Sequence, residues 1–171
     1  LEIKQEFYTG GRFQFQFSLH TTDEQVRERI IPVKKWNFSK MASYGERFYQ
    51  PGDRKITLNF ALAQQNPLDP GILLQYFDPA RFLVKITPLN PTYHAIDNGL
   101  TSYINPQKLP ESESSDTVLA LRQAGYQVIV SIGEVEENAI GSNCGQYVLR
   151  HTQAQEVLQD AYLYSLQDYI D

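Results

Sequence analysis

Phe13-Gln14-Phe15-Gln16-Phe17-Ser18-Leu19-His20 decides how this chain is read, because its apolar and polar residues alternate without exception. Side chains along a β-strand point to opposite faces in turn. Phe13, Phe15, Phe17 and Leu19 therefore make one apolar face, and Gln14, Gln16, Ser18 and His20 make the other. The same phase recurs downstream, where Ile56, Leu58, Phe60 and Leu62 alternate with Lys55, Thr57, Asn59 and Ala61. A less regular run covers Phe82 to Leu89, and Gln127 to Ile132 reads as a fourth strand. Helical signals lie between these runs. Asn37 is placed to cap a helix with Trp36 and Met41 as its staple, and Asp69 before Pro70 supplies a cap and a favoured first-turn residue. Ser114 to Ala124 reads as a helix stopped by Gly125.

Strands alternating with helices imply β-α-β units, parallel pairing and right-handed crossovers, which is the α/β class. Buried parallel strands normally read as continuous apolar runs, whereas these keep a face of Gln, Ser, Asn, Thr and Lys. That face is expected to line a wet cavity, as in a parallel-stranded partial (β/α) barrel covered outside by helices. Three or four strands are too few to close one. Residues 90–113 hold Asn90-Pro91, Asp97-Asn98-Gly99, Asn105-Pro106 and Leu109-Pro110, the marks of a long irregular loop. Its acidic, serine-rich end, Glu111 to Asp116, reads as a solvated tip without calcium-loop spacing. Residues 133–147 form a loop around Cys144, and 151–169 a C-terminal helix whose Leu158, Ala161, Tyr162, Leu166 and Tyr169 stripe reads as core. We read residues 1–171 as one domain without internal repeats.

The chain has 171 residues with 15 Lys+Arg and 20 Asp+Glu, giving a net charge of −5. An extended cationic face, and hence pure phosphate-backbone binding, is a poor first expectation. The 42% apolar content supports a packed core rather than disorder. One cysteine excludes an internal disulfide and any site made of cysteines alone, and it points to a reducing compartment. No basic-then-apolar leader and no apolar run near membrane-spanning length is visible, so a cytoplasmic location without membrane contact is expected. The opening at Leu1 reads as that of a piece of something longer.

In parallel α/β architectures ligands sit at the C-terminal strand ends, which brings Ser18, Leu19 and His20 after the first strand and Asn90 after the third into view. Ser18 and His20 share the polar phase, and Asn90 lies within reach of the same cavity. Capping and turn roles remain open for Ser18 and Asn90, as does a plain structural role for His20. Cys144 lies in Gly141-Ser142-Asn143-Cys144-Gly145-Gln146, a polar, glycine-flanked segment unlike the apolar runs that enclose structural cysteines. The spacing of His20 and His151 does not single out a Cys-His dyad with Cys144.

One set of segments resembles a family. Ser18-Leu19-His20 with the following Thr21 to Pro32 (Arg27-x-Arg29-x-x-Pro32), Lys55-Ile56-Thr57, Ile86-Thr87-Pro88-Leu89-Asn90-Pro91 and Cys144-Gly145-Gln146 occur in the order and approximate spacing of the radical S-adenosylmethionine (SAM) enzymes that methylate adenine in ribosomal and transfer RNA. The resemblance runs from about Phe13 to Tyr147. It implies that Ser18, Leu19, His20 and Asn90 contact SAM, that Cys144 is the methyl-carrying cysteine, and that the fold is the C-terminal half of a (β/α)6 barrel. It further implies that SAM methylates the Cys144 thiolate and that a second SAM, cleaved at an iron-sulfur cluster, yields the radical that activates this methyl group. The family's C-x3-C-x2-C motif for the [4Fe-4S] cluster, its glycine-glutamate contact and its catalytic glutamate belong upstream and are not in this chain. The chain departs from the pattern in a longer segment before the cysteine, a continuing C-terminal helix and an acidic balance.

The expected function is therefore the C-terminal part of a radical SAM methyltransferase-like enzyme, inactive by itself, with SAM as cofactor and RNA reached through the upstream part. The alternatives are a radical SAM iron-sulfur oxidoreductase acting on another substrate, or a non-catalytic partner-binding module. Bare edge strands in a half-barrel also lead us to expect self-association or edge coverage.

Overall fold

The computed structural model describes residues 1–89, 99, 101, 102 and 115–131. Strands β1 (Gln16–Ser18), β2 (Ile56–Leu62), β3 (Phe82–Pro88) and β4 (Val128–Val130) form one sheet in that order, every neighbouring pair parallel. Helices α1 (Glu2–Phe7), α2 (Glu24–Ile30), α3 (Phe38–Phe48), α4 (Pro70–Tyr76) and α5 (Asp116–Gln123) complete the described elements. The α/β class and the parallel sheet are as expected. Each connection advances the sheet by one strand in the same direction, so crossovers of one hand bring their helices to one face.

The core lies between that helical layer and the apolar phase of the strands. Ile56, Leu58, Phe60, Leu62, Phe82, Val84 and Ile86 are buried there against Phe38, Met41 and Phe48 of α3, Leu73 of α4 and Val118 and Leu121 of α5. Each such side chain contributes roughly 1.5–3 kcal/mol on burial. Helix α3 approaches the sheet through Gly45, where an added Cβ would lie 2.5 Å from Phe82 Cζ. Only a residue without a side chain permits that contact.

Local signals explain most boundaries. The Asn37 side chain accepts the Lys40 N–H at 2.9 Å, and Asp69 accepts the N–H groups of Gly71 and Ile72. Ser115 caps α5, which ends in two backbone bonds, Tyr126 N–H to Leu121 O and Gly125 N–H to Arg122 O, with Gly125 at φ 92°. That pair of bonds around a left-handed glycine terminates the helix without an orphan turn. β1 is shorter than the Phe13–Leu19 alternation, yet the flanking bonds Thr57 N–H to Phe15 O and Leu19 N–H to Asn59 O continue the pairing on both sides.

Two helices have no counterpart in the sequence reading. α2 starts at Asp23, whose carboxylate accepts the Gln25 and Val26 N–H groups. α1 has only six residues, too few to be stable alone, and is anchored by Lys4. The Lys4 ammonium, 3% exposed, pairs with Asp53, donates to Phe48 O at 2.5 Å and lies 4.5 Å from the Phe48 ring centroid. No helix among the described residues is long and apolar enough to cross a membrane.

Candidate functional site

The sheet's second face carries the polar phase: Gln14, Gln16 and Ser18 are exposed on it, beside Thr57, Asn59, Lys85 and Thr87 of the central strands. Register places Gln16 opposite Thr57 and Leu83, then Ser18 opposite Asn59 and Lys85. The face is not uniformly wet, since Thr57 and Leu83 are buried. Its N-terminal half is closed by internal bonds. Gln14 Nε2 donates to Thr57 Oγ1 at 3.0 Å, and Lys55 Nζ donates to Pro79 O at 2.8 Å.

The C-terminal half is built differently. Ser18 closes β1, Leu19 turns into the core, and His20 follows with φ 66°, the one non-glycine residue with positive φ among those described. Such a conformation costs about 1–2 kcal/mol and persists only where its surroundings hold it. Here they do: Thr21 and Thr22 are buried, both hydroxyls donate to Pro67 O, at 2.9 and 3.2 Å, and Thr22 Oγ1 accepts the Asp69 N–H. The loop after β1 is thereby tied to the loop after β2.

His20 Nδ1 accepts the Ala61 N–H at 3.2 Å, which assigns the proton of the neutral ring to Nε2. Burial, and then the positive charge of Arg27, hold the imidazole below its ordinary pKa. His20 is thus a neutral ring with one nitrogen committed and the other available as a donor. Arg27 is itself buried, donating to Trp36 O at 2.8 Å and lying 5.3 Å from the Phe38 ring centroid. This pins the α2–α3 connection behind the strand end.

The structure brings Ser18, Leu19 and His20 to one strand end, with Leu19 facing the core. Asn90 and Cys144 lie outside the described residues. Thr21, Thr22 and Arg27 stood in the sequence only as parts of a motif, with no structural role for the two threonines, whose bonds to Pro67 O and Asp69 N–H hold the turn at His20. Among the described residues there is no cluster of three His, Cys, Asp or Glu side chains able to hold a metal ion.

A second feature lies on the helical side, an open groove of about 420 Å³ lined by Lys34, Lys35, Trp36, Asn37 and Lys40. Lys35 is neutralised by Glu28 at 2.7 Å, while Lys40 Nζ lies 4.9 Å from the Trp36 ring centroid. Comparison of the chain with protein-family models, with curated proteins and with solved structures finds no match.

Proposed function

We propose that the chain supplies the C-terminal strands of a radical SAM barrel and belongs to a methyltransferase-like enzyme. The observation that supports this most is the strand end Ser18-Leu19-His20. A solvent-facing hydroxyl and a neutral imidazole donor stand there side by side in a strained, doubly tethered turn, at the C-terminal edge of a sheet wound in one direction. Strain held at a ligand-facing strand end is characteristic of binding sites.

The residues present suit SAM: Ser18 Oγ, free of protein partners among the described residues, and His20 Nε2–H are both able to bond a polar nucleoside. SAM, when bound, supplies a methyl group and, on reductive cleavage, a radical. Cys144 is the thiolate that accepts the methyl group in this reading. The single cysteine does not furnish a cluster's ligands, so those come from elsewhere in the protein. The chain's own part is to orient SAM and exclude water.

SAM titration of the full-length protein tests the reading: Ser18→Ala and Asn90→Ala are each expected to weaken binding about tenfold. Unchanged affinity removes both residues from the site. Cys144→Ala should abolish methylation while leaving SAM cleavage intact, and mass spectrometry should find a methyl group on Cys144. Persistent methylation by that variant leaves the oxidoreductase reading of the same barrel. The lysine and tryptophan groove between α2 and α3 favours a second reading, a module that docks an anionic partner; a coding sequence without C-x3-C-x2-C ahead of Phe13 would support it.

A further inference from the structure

Residues 29–40, which join α2 to the first turn of α3, carry Arg29, Lys34, Lys35 and Lys40 and no Asp or Glu, in a chain whose net charge is −5. Apolar side chains in the same stretch are uncovered: Ile30 is 37% exposed, Trp36 39% and Val33 64%. Trp36 lines the groove with Lys34, Lys35, Asn37 and Lys40. Glu28 neutralises Lys35, whereas Arg29 and Lys34 form no ion pair among the described residues and Lys40 Nζ lies against the Trp36 ring. Bare apolar side chains within an uncompensated positive rim mark a docking surface. Residues 151–171 have the complementary chemistry: Glu156, Asp160, Asp168 and Asp171 without any Lys or Arg, and Leu158, Ala161, Tyr162, Leu166 and Tyr169 at helical spacing. They lie outside the described residues.

We propose that residues 151–171 dock on this groove, their apolar stripe covering Ile30, Val33 and Trp36 and their carboxylates answering Arg29, Lys34 and Lys40. Topology puts the two within reach. α3 ends at Phe48 and β2 starts at Ile56, so α3 runs back along the strands and its first turn lies toward their C-terminal ends. The last strand, β4, ends on that same side, because all four strands are parallel. Three strand spacings, about 14 Å, separate β4 from β1. Residues 132–150 can span about 60 Å when extended, so the chain has ample length to return. An amphipathic segment laid in an apolar groove is a recurring recognition mode, and its charges set the partner. Within one chain the encounter takes place at an effective concentration of about millimolar, so a modest surface suffices. This docking is independent of the cofactor reading and gives the groove an occupant from the chain itself, in place of the outside anionic partner.

Trp36 is the chain's one tryptophan, so quenching of its fluorescence by acrylamide reads how open the groove is. Glu156→Gln/Asp160→Asn/Asp168→Asn is expected to raise the quenching constant about twofold, since each exposed pair is weak but three are removed together. Raising NaCl from about 0.05 to about 0.5 M should do the same in the unmodified protein. Lys34→Glu/Lys40→Glu should also open the groove, and adding Glu156→Lys/Asp160→Lys to that variant should restore protection. Carboxylate variants that leave quenching unchanged, insensitivity to salt, or a charge exchange that restores nothing would each overturn the docking. Protection that grows with protein concentration assigns the segment to a second copy, and equal binding of phosphatidylserine vesicles by the unmodified protein and the carboxylate variant assigns the groove to a lipid surface; either result overturns it as well. Circular dichroism confirms that the variants fold. SAM titration of the same proteins judges the cofactor reading alone, whereas the Trp36 series judges the docking alone.

Discussion

Two regions of the molecule treat their polar residues in opposite ways. Near the strand starts, Lys4 is almost wholly buried yet satisfied by Asp53 and Phe48 O, and Gln14 and Thr57 bond each other. Midway along the central strands, Asn59 Oδ1 and Lys85 have no partner among the described residues, and past the end of β1 His20 is held in a left-handed conformation. Satisfied polar groups stabilise a fold, whereas unsatisfied ones and strained turns lower its stability. Polar groups around the strand starts are satisfied within the fold, whereas Asn59 Oδ1 is not.

The largest effect expected from this contrast is at Asp53. Asp53→Ala leaves the Lys4 ammonium buried without its counter-ion and should cost about 3 kcal/mol in chemical denaturation; a loss below about 1 kcal/mol would mean that α1 is not tied down through this pair. Burial opposes the Asp53 charge, but hydrogen bonds from Lys4 and from the Gln50 and Gly11 N–H groups, with the Lys4 charge, outweigh it and hold the carboxyl below its ordinary value of 3.8. This stabilisation is present above 3.8 and is lost as pH falls through the lower folded value.

Smaller effects sharpen the comparison within a single strand. Thr57→Val removes the hydroxyl that Gln14 bonds and should cost about 1 kcal/mol. Asn59→Leu, two residues along on the same face, discards an amide whose acceptor is unsatisfied and should change stability by less than about 0.5 kcal/mol or raise it. Equal losses at the two positions would erase the distinction between the two regions. At His20 the folded pKa lies below the unfolded 6.5, so stability is complete above 6.5 and declines as pH falls toward the folded value. The thermal midpoint of the unmodified protein should therefore drop more between pH 7 and 5 than that of His20→Asn, which tolerates the same backbone conformation. Parallel curves for the two proteins would show that His20 does not titrate with folding.

Much of the fold was legible because its signals are local. The caps at Asn37 and Asp69 act on backbone groups two or three residues away, and Gly125 ends α5 through its own φ. Of the candidate site residues, only Ser18, Leu19 and His20 lie among the described residues, and the sequence placed them at a strand end. Nothing in Ser18-Leu19-His20 announces that His20 adopts positive φ or that Ala61, 41 residues on, claims its Nδ1. Lys4 received no role from the sequence, and only Asp53, 49 residues away, makes it an anchor.

By itself the sequence determined the α/β class and the assignment of the residues of the first two strands to an apolar and a polar phase. Period-two alternation and helix capping depend on nearest neighbours along the chain, so no knowledge of pairing is needed to read them. Tertiary structure decided which polar residues stand opposite one another: Gln14 with Thr57, Lys4 with Asp53, and Asn59 with Lys85. Strand register sets the last of these meetings, and the packing of α1 against the segment before β2 sets the second. Whether a polar side chain stabilises the fold depends on the partner that tertiary structure brings to it.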